Sequence, residues 1–217
     1  MRITAIHEKT IGIASAMRNA DIGFDEMTAS LIAVVTDVRR DGRPVIGYGF
    51  DSIGRYAHGC VARERLIPRL LAADPESLVT DDGANLDPHR CWAVMMRNEK
   101  LGGHGERAGA VGVLDSAIWD AVAKIEGKPL WRLLAERYRG GETDETVRVY
   151  AAGGHYHPEG GTKALQDELR GYRDLGHRTI KIKVGGGPHD QDMARIEAAL
   201  GVMGDGALAV DANAAFD

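Results

Sequence analysis

Two stretches near the C-terminal end of the chain show the same change of polarity. Residues 179–187 read TIKIKVGGG, and residues 208–216 read LAVDANAAF. A β-strand sends successive side chains to opposite faces. In the first stretch Ile180, Ile182 and Val184 share one face, and Lys181 and Lys183 share the other. In the second, Leu208, Val210 and Ala212 oppose Ala209, Asp211 and Asn213. A third strand pattern, VRVYAAGG, precedes both, and helical stretches lie between the three, roughly at 161–176 and 189–203. Strands and helices alternating with a period of about thirty residues argue for βαβ units and a parallel sheet. Taken alone, TIKIKV reads as a half-exposed antiparallel strand with a wet lysine face. Parallel sheets are covered on both faces, so that account does not serve here. In a closed barrel of such units the lysines point inward, towards the C-terminal rim.

The front of the chain is organised differently. RITAIHEKTIGI, SLIAVVTDVRRDG and RPVIGYGF read as strands, with Asp41-Gly42 as a hairpin turn between the last two. The mixed stretch SAMRNADIGFDEMTA between the first two reads as a loop. RERLIPRLLAA reads as a helix with a start or kink at Pro68. Asp87-Pro88 caps a further helix. Val111, Leu114, Ile118 and Val122 fall at helical spacing in a long buried helix, which Gly127 and Pro129 end. GGETDET, near residue 142, reads as a linker.

Composition narrows the function classes. The net charge is −5, which gives no electrostatic case for nucleic acid. No apolar run approaches the ~18 residues of a membrane span. MRITAIHEKTIG lacks the apolar core of a signal peptide. Cys60 and Cys91 are the two cysteines and lack metal-ligand spacing. That usage fits a reducing cytoplasm, with one disulfide left open.

The polar faces of the last two strands suit removal of a proton next to a carboxylate. That chemistry needs a base and concentrated positive charge where negative charge develops. Asp211 suits a hard divalent cation such as Mg²⁺. Two lysines two residues apart on a strand are roughly 7 Å apart, which at an effective dielectric of 20 means about 2.4 kcal/mol of repulsion. That repulsion, with partial burial, is expected to lower one lysine pKa and leave part of it neutral as a base.

Together these residues resemble the enolase superfamily, in its mandelate racemase and muconate lactonizing branch. The opening strand triplet, the helix LDSAIWDAVAKIEGKPLWRLL, Lys181-Ile182-Lys183 and Val210-Asp211-Ala212-Asn213 carry the resemblance. MRNADIGFDEMTASLIAVVTDV, GYGFDSIGRYAHG, NEKLGGHGERAGAVG and VYAAGGHYHP are similar to D-tartrate dehydratases and related acid-sugar dehydratases. The resemblance implies an α+β capping domain with interdomain helices over 1–141. Residues 142–217 are then the first three strands and two helices of a (β/α)₈ TIM-type barrel, an incomplete barrel. It implies Mg²⁺-dependent dehydration of an acid sugar through an enediolate, by a cytoplasmic homo-oligomer. By motif, Lys183 is the base, Lys181 its electrostatic neighbour, and Asp211 the first metal ligand with Asn213 adjacent. Substrate-binding candidates are Arg18 and Asn19 in the first loop, Arg55 and Tyr56 in the second, and Lys100 with His104.

A complete barrel needs about 250 residues. The later strands that carry further carboxylate ligands in this family are not in the 217 residues. The chain is therefore expected to be the front part of such an enzyme, binding Mg²⁺ weakly and inactive alone. Two other readings compete. His155 and His157 form a His-x-His that suits a metal-dependent hydrolase. A non-catalytic remnant or oligomeric binding module would cover its open sheet edge with another copy.

Overall fold

Asp41 and Gly42 both take left-handed backbone, with φ of 50° and 76°. Such a pair matches the twist of flanking antiparallel strands. It joins β2 (Thr28–Arg40) to β3 (Arg43–Phe50), with Arg40 opposite Arg43 and Leu31 opposite Phe50. β1 (Ile3–Gly12) lies on the other side of β2, with Gly12 opposite Thr28. This antiparallel sheet has the order β1-β2-β3. The structure is a computed structural model that describes residues 1–51, 54–100, 105–157 and 160–215.

The chain divides into two units. The first is Met1–Ile13 with Met27–Thr143, and the second is Ala14–Glu26 with Asp144–Asp217. The loop between β1 and β2 thus goes with the second unit. In the first unit the sheet is followed by α1 (Ala57–Val61), α2 (Ile67–Ala72), α3 (Pro88–Met95), α4 (Glu106–Glu126) and α5 (Leu130–Tyr138). The turn between α1 and α2, Ala62–Leu66, is widened to a π-helix. Pro68 follows in the first turn of α2, where it has no N–H to donate. The expected helix at 63–73 is therefore the back half of a longer, interrupted one. Asp87 caps α3 by accepting from the backbone N–H groups of His89 and Arg90. Gly127 ends α4 in left-handed backbone.

The core of this unit forms where α4 crosses β3. Leu114, Ala117, Ile118 and Ala121 of the helix are fully buried, as are Ile32 and Val34 of β2. Gly47 and Gly49 of β3 face the helix. A Cβ on Gly47 would lie 2.0 Å from the Ala117 carbonyl oxygen, and one on Gly49 would lie 2.1 Å from that of Val113. Glycines in the strand and alanines in the helix let the two backbones approach this closely. Cys91 is buried and Cys60 exposed, and both are free thiols, so the disulfide left open by the sequence is not formed. Among the described residues no helix is long and apolar enough to cross a membrane.

The second unit holds β4 (Ala151–Ala152), α6 (Gly161–Asp174), β5 (Thr179–Lys183), α7 (His189–Met203) and β6 (Ala207–Asp211). The strands form a parallel sheet in the order β4-β5-β6. Ile180 and Ile182 are fully buried, packed with Leu165 and Leu169 of α6 and Ala199 and Met203 of α7. Each buried isoleucine side chain contributes about 1.5–3 kcal/mol. Two strands are shorter than their patterns suggest. In VRVYAAGG only Ala151–Ala152 is strand, and Gly153 and Gly154 continue the backbone bonding to Lys181 and Lys183. LAVDANAAF leaves strand geometry at Asp211, and Asn213 and Ala214 then take left-handed backbone.

Candidate active site

Burial of Ile180 and Ile182 against the helices turns Lys181 and Lys183 to the opposite face of β5. The parallel register sets Lys183 opposite Asp211 and Lys181 opposite Ala209. Both lysine Nζ atoms donate to Asp211 Oδ2 at 2.8 Å. Lys183 Nζ also donates to Asn213 Oδ1 at 2.8 Å, and Asp211 Oδ1 accepts from the Asn213 backbone N–H at 3.0 Å. Asn213 reaches the site from a left-handed turn rather than from the strand face that the alternation predicts. The turn aims its amide oxygen back at Lys183.

Charge in this cluster runs opposite to the repulsion expected from the KIK spacing. The ammonium groups of Lys181 and then Lys183 hold the Asp211 carboxyl well below the usual carboxylate range. The hydrogen bond to Asp211 holds Lys181 above its ordinary value, against a smaller lowering by burial. The reason is distance. Attraction acts across a 2.8 Å contact between each ammonium group and the Asp211 carboxylate. The KIK spacing therefore does not lower the Lys181 pKa as expected.

The loop at 14–26 carries Arg18 and Asn19. Arg18 and Tyr156 exchange backbone hydrogen bonds, at 3.3 Å from the Arg18 N–H and 3.0 Å from the Tyr156 N–H. The exposed Arg18 side chain donates from Nη2 to the Gly186 carbonyl at 3.4 Å. Asn19 is buried, and its Oδ1 accepts from the N–H groups of Asp21 and Ile22 at 2.9 and 2.7 Å. Its side-chain oxygen thus holds the loop's own turn. His155 lies edge-on to Phe24 of the same loop, with ring centroids 5.8 Å apart. Burial, then Lys183, lowers its pKa. His157 is exposed.

The remaining candidates belong to the first unit. Tyr56 is 62% exposed, and its N–H donates to Thr28 Oγ1 at 2.7 Å. Arg55 and Tyr56 both have positive φ, 40° and 65°, a strained conformation for residues other than glycine. Lys100 is exposed. His104 lies outside the described residues.

Sequence reasoning missed Tyr156, Asp192 and Arg195, each 7% exposed, which cluster beside Lys183. A signal was present. Asp192, Arg195, Ala199 and Met203 form the buried stripe of α7, so two charges occupy positions where an amphipathic helix places apolar residues.

The oxygen donors of Asp211 and Asn213 suit Mg²⁺ in kind. Among the described residues no three His, Cys, Asp or Glu side chains come together as a metal-binding group. The donors present are thus of the right chemistry and fewer than a full set, and the same count gives His155 and His157 no third partner for the hydrolase reading.

Residues 164–217 match the family model described as enolase C-terminal domain-like. The chain is 30% identical over 175 residues to an arabinonate dehydratase of Saccharolobus solfataricus, covering 77% of this chain and 42% of that protein. A solved mandelate racemase/muconate lactonizing enzyme-like protein from Rubrobacter xylanophilus matches all of this chain and 54% of its own. That match has a TM-score of 0.71 at 26% identity. A solved L-talarate/galactarate dehydratase mutant, liganded with Mg and L-glucarate, matches in fold with a TM-score of 0.71 at 24% identity. It covers 98% of this chain and 51% of its own. The chain spans about half the length of the relatives it matches.

Proposed function

We propose that this chain, a member of the enolase and mandelate racemase/muconate lactonizing superfamily, supplies the proton-abstracting side of an acid-sugar dehydratase site. The observation that carries the reading is the convergence of Lys181, Lys183 and Asp211 at the C-terminal ends of adjacent parallel strands. In this reading residues 1–141 act as the cap and residues 142–217 as the first βα units of a barrel.

Lys183 takes the proton from the carbon next to the substrate carboxylate. The electron pair spreads onto the carboxylate oxygens as an enediolate, and Lys181 lends positive charge beside it. The β-hydroxyl then leaves as water with the proton that Lys183 took, and the resulting enol becomes a 2-keto acid by moving its own proton to carbon. Mg²⁺, which Asp211 would hold with Asn213 beside it, would offset the charge on those oxygens. In this proposal Arg18 meets the second carboxylate of a D-tartrate-like substrate. Asn19, on the same loop, is a further contact in this proposal. The functional enzyme is a homo-oligomer.

The test is calorimetric titration of the 217-residue chain with Mg²⁺ and D-tartrate, with 2-keto acid formation assayed alongside. Weak, saturable Mg²⁺ binding abolished by Asp211→Asn is expected. Tartrate binding should weaken by about tenfold or more in Lys183→Met, the loss of one well-placed charge. No keto acid should form from the chain alone. A wild-type chain that binds neither would overturn the proposal, and turnover by it would overturn the assignment of only one side of the site.

A further inference from the structure

Three glycines follow the lysine strand, and nothing in the chemistry of Lys183 calls for them. For the middle one, Gly186, the reason is Tyr156. A Cβ on Gly186 would lie 2.7 Å from the edge of the Tyr156 ring, so the backbone at Gly186 lies against that ring. The Arg195 guanidinium also packs on the ring, with Cζ 4.3 Å from the centroid. The Tyr156 hydroxyl accepts from the Gly186 N–H at 3.0 Å and donates to Asp192 Oδ1. Asp192 Oδ2 accepts from the Gly185 N–H at 2.7 Å. Arg195 Nη2 donates to the Gly154 carbonyl at 2.6 Å and to the Lys183 carbonyl at 3.4 Å. That Gly154 carbonyl also accepts from the Lys183 N–H at 3.2 Å. Through its backbone Tyr156 holds Arg18, and Arg18 reaches on to Gly186. One buried residue therefore ties together the 14–26 loop, through its backbone, and the glycine loop and α7, through its side chain.

We propose that Tyr156, Asp192 and Arg195 form a latch that fixes the 14–26 loop in one register on the C-terminal end of β5. They are positioning residues for Lys183 and for whatever the Arg18 loop contacts. This last part rests on reading the loop as a substrate loop.

Geometry separates the latch from ordinary core packing. Removing the hydroxyl leaves the ring and its packing intact while it frees the Gly186 N–H and one oxygen of Asp192. Hydrogen–deuterium exchange on the 217-residue chain tests this directly. Tyr156→Phe and Asp192→Asn should speed exchange in residues 14–26 by about tenfold, the scale of one lost buried hydrogen bond, while β5 and α7 keep their protection. Unchanged exchange in that segment in Tyr156→Phe overturns the proposal. So does loss of protection in β5 and α7 in that variant, since the hydroxyl would then serve general stability. If Asp192→Asn unfolds the unit, Tyr156→Phe alone decides. Titration with D-tartrate supplies the second arm. A wild-type chain that binds tartrate and a Tyr156→Phe chain with several-fold weaker binding support the positioning role. Equal affinity despite a loosened loop overturns that role. A wild-type chain that binds no tartrate overturns the substrate reading, and the exchange result still judges the latch.

Discussion

Asp211 accepts from two ammonium groups and one backbone N–H, and this sets how the cluster responds to acid. Its carboxyl is depressed by Lys181 first and Lys183 next, so the folded pKa lies below the unfolded value of about 3.9. Its contribution to stability is complete above that value and is lost as pH falls through the folded pKa. Lys181 shows the complementary behaviour. Its pKa is raised, so its contribution is complete below about 10.4 and is lost as pH rises through the folded value. The two shifts describe one interaction and are not added. Thermal melts of wild type and Asp211→Asn should therefore show a gap that is largest near neutrality and narrows below about pH 4. A gap that holds its size into strong acid would show that the carboxylate contributes through shape rather than charge. At this scale the sequence was informative about identity and silent about pairing. Alternation put Lys181, Lys183 and Asp211 on matching faces, because strand geometry has a period of two. It did not show that one carboxylate oxygen would receive both lysines, since that depends on the register of β5 against β6.

Elements were legible where local chemistry is decisive. The Asp41-Gly42 turn, the Asp87 cap and the Gly127 stop fall where the residues predict, because each rests on a backbone conformation that few residues accept. Strand lengths were not legible in the same way. β6 ends where extended geometry ends, and β4 keeps only two residues of its pattern, although the flanking residues continue to alternate. The contact between β3 and α4 yields a sharp prediction. Gly47→Ala would drive a methyl group into the Ala117 carbonyl, and should cost about 3 kcal/mol or more, at or beyond the usual range for overpacking. Gly112→Ala on the exposed side of α4 meets nothing within 4 Å. It should stabilise by roughly 0.5–1 kcal/mol, the helix preference of alanine over glycine. Denaturant midpoints of the two variants should move in opposite directions, and a neutral Gly47→Ala would mean that helix and strand separate easily.

Over the whole molecule, the division into two units crosses the sequence order, because residues 14–26 join the strands that follow residue 144. The connection from Arg139 to Tyr150 is almost wholly exposed and holds no helix or strand. Limited trypsin digestion should cut first at Arg139 or Arg148 and leave α4 intact, as mass measurement of the early fragments would show. First cuts within α4 would contradict this division. By itself the sequence determined the two kinds of sheet, the helices between the parallel strands and the residue types at their polar ends. Those follow from periodicity, turn residues and spacing, which act within a few residues or one βα unit. Only the tertiary structure decided that the loop after β1 docks on Tyr156, that Asp192 and Arg195 are buried beneath it, and that Asp211 is engaged by both lysines. Each of these joins residues far apart in the chain, and such pairings are fixed by packing and register rather than by local pattern.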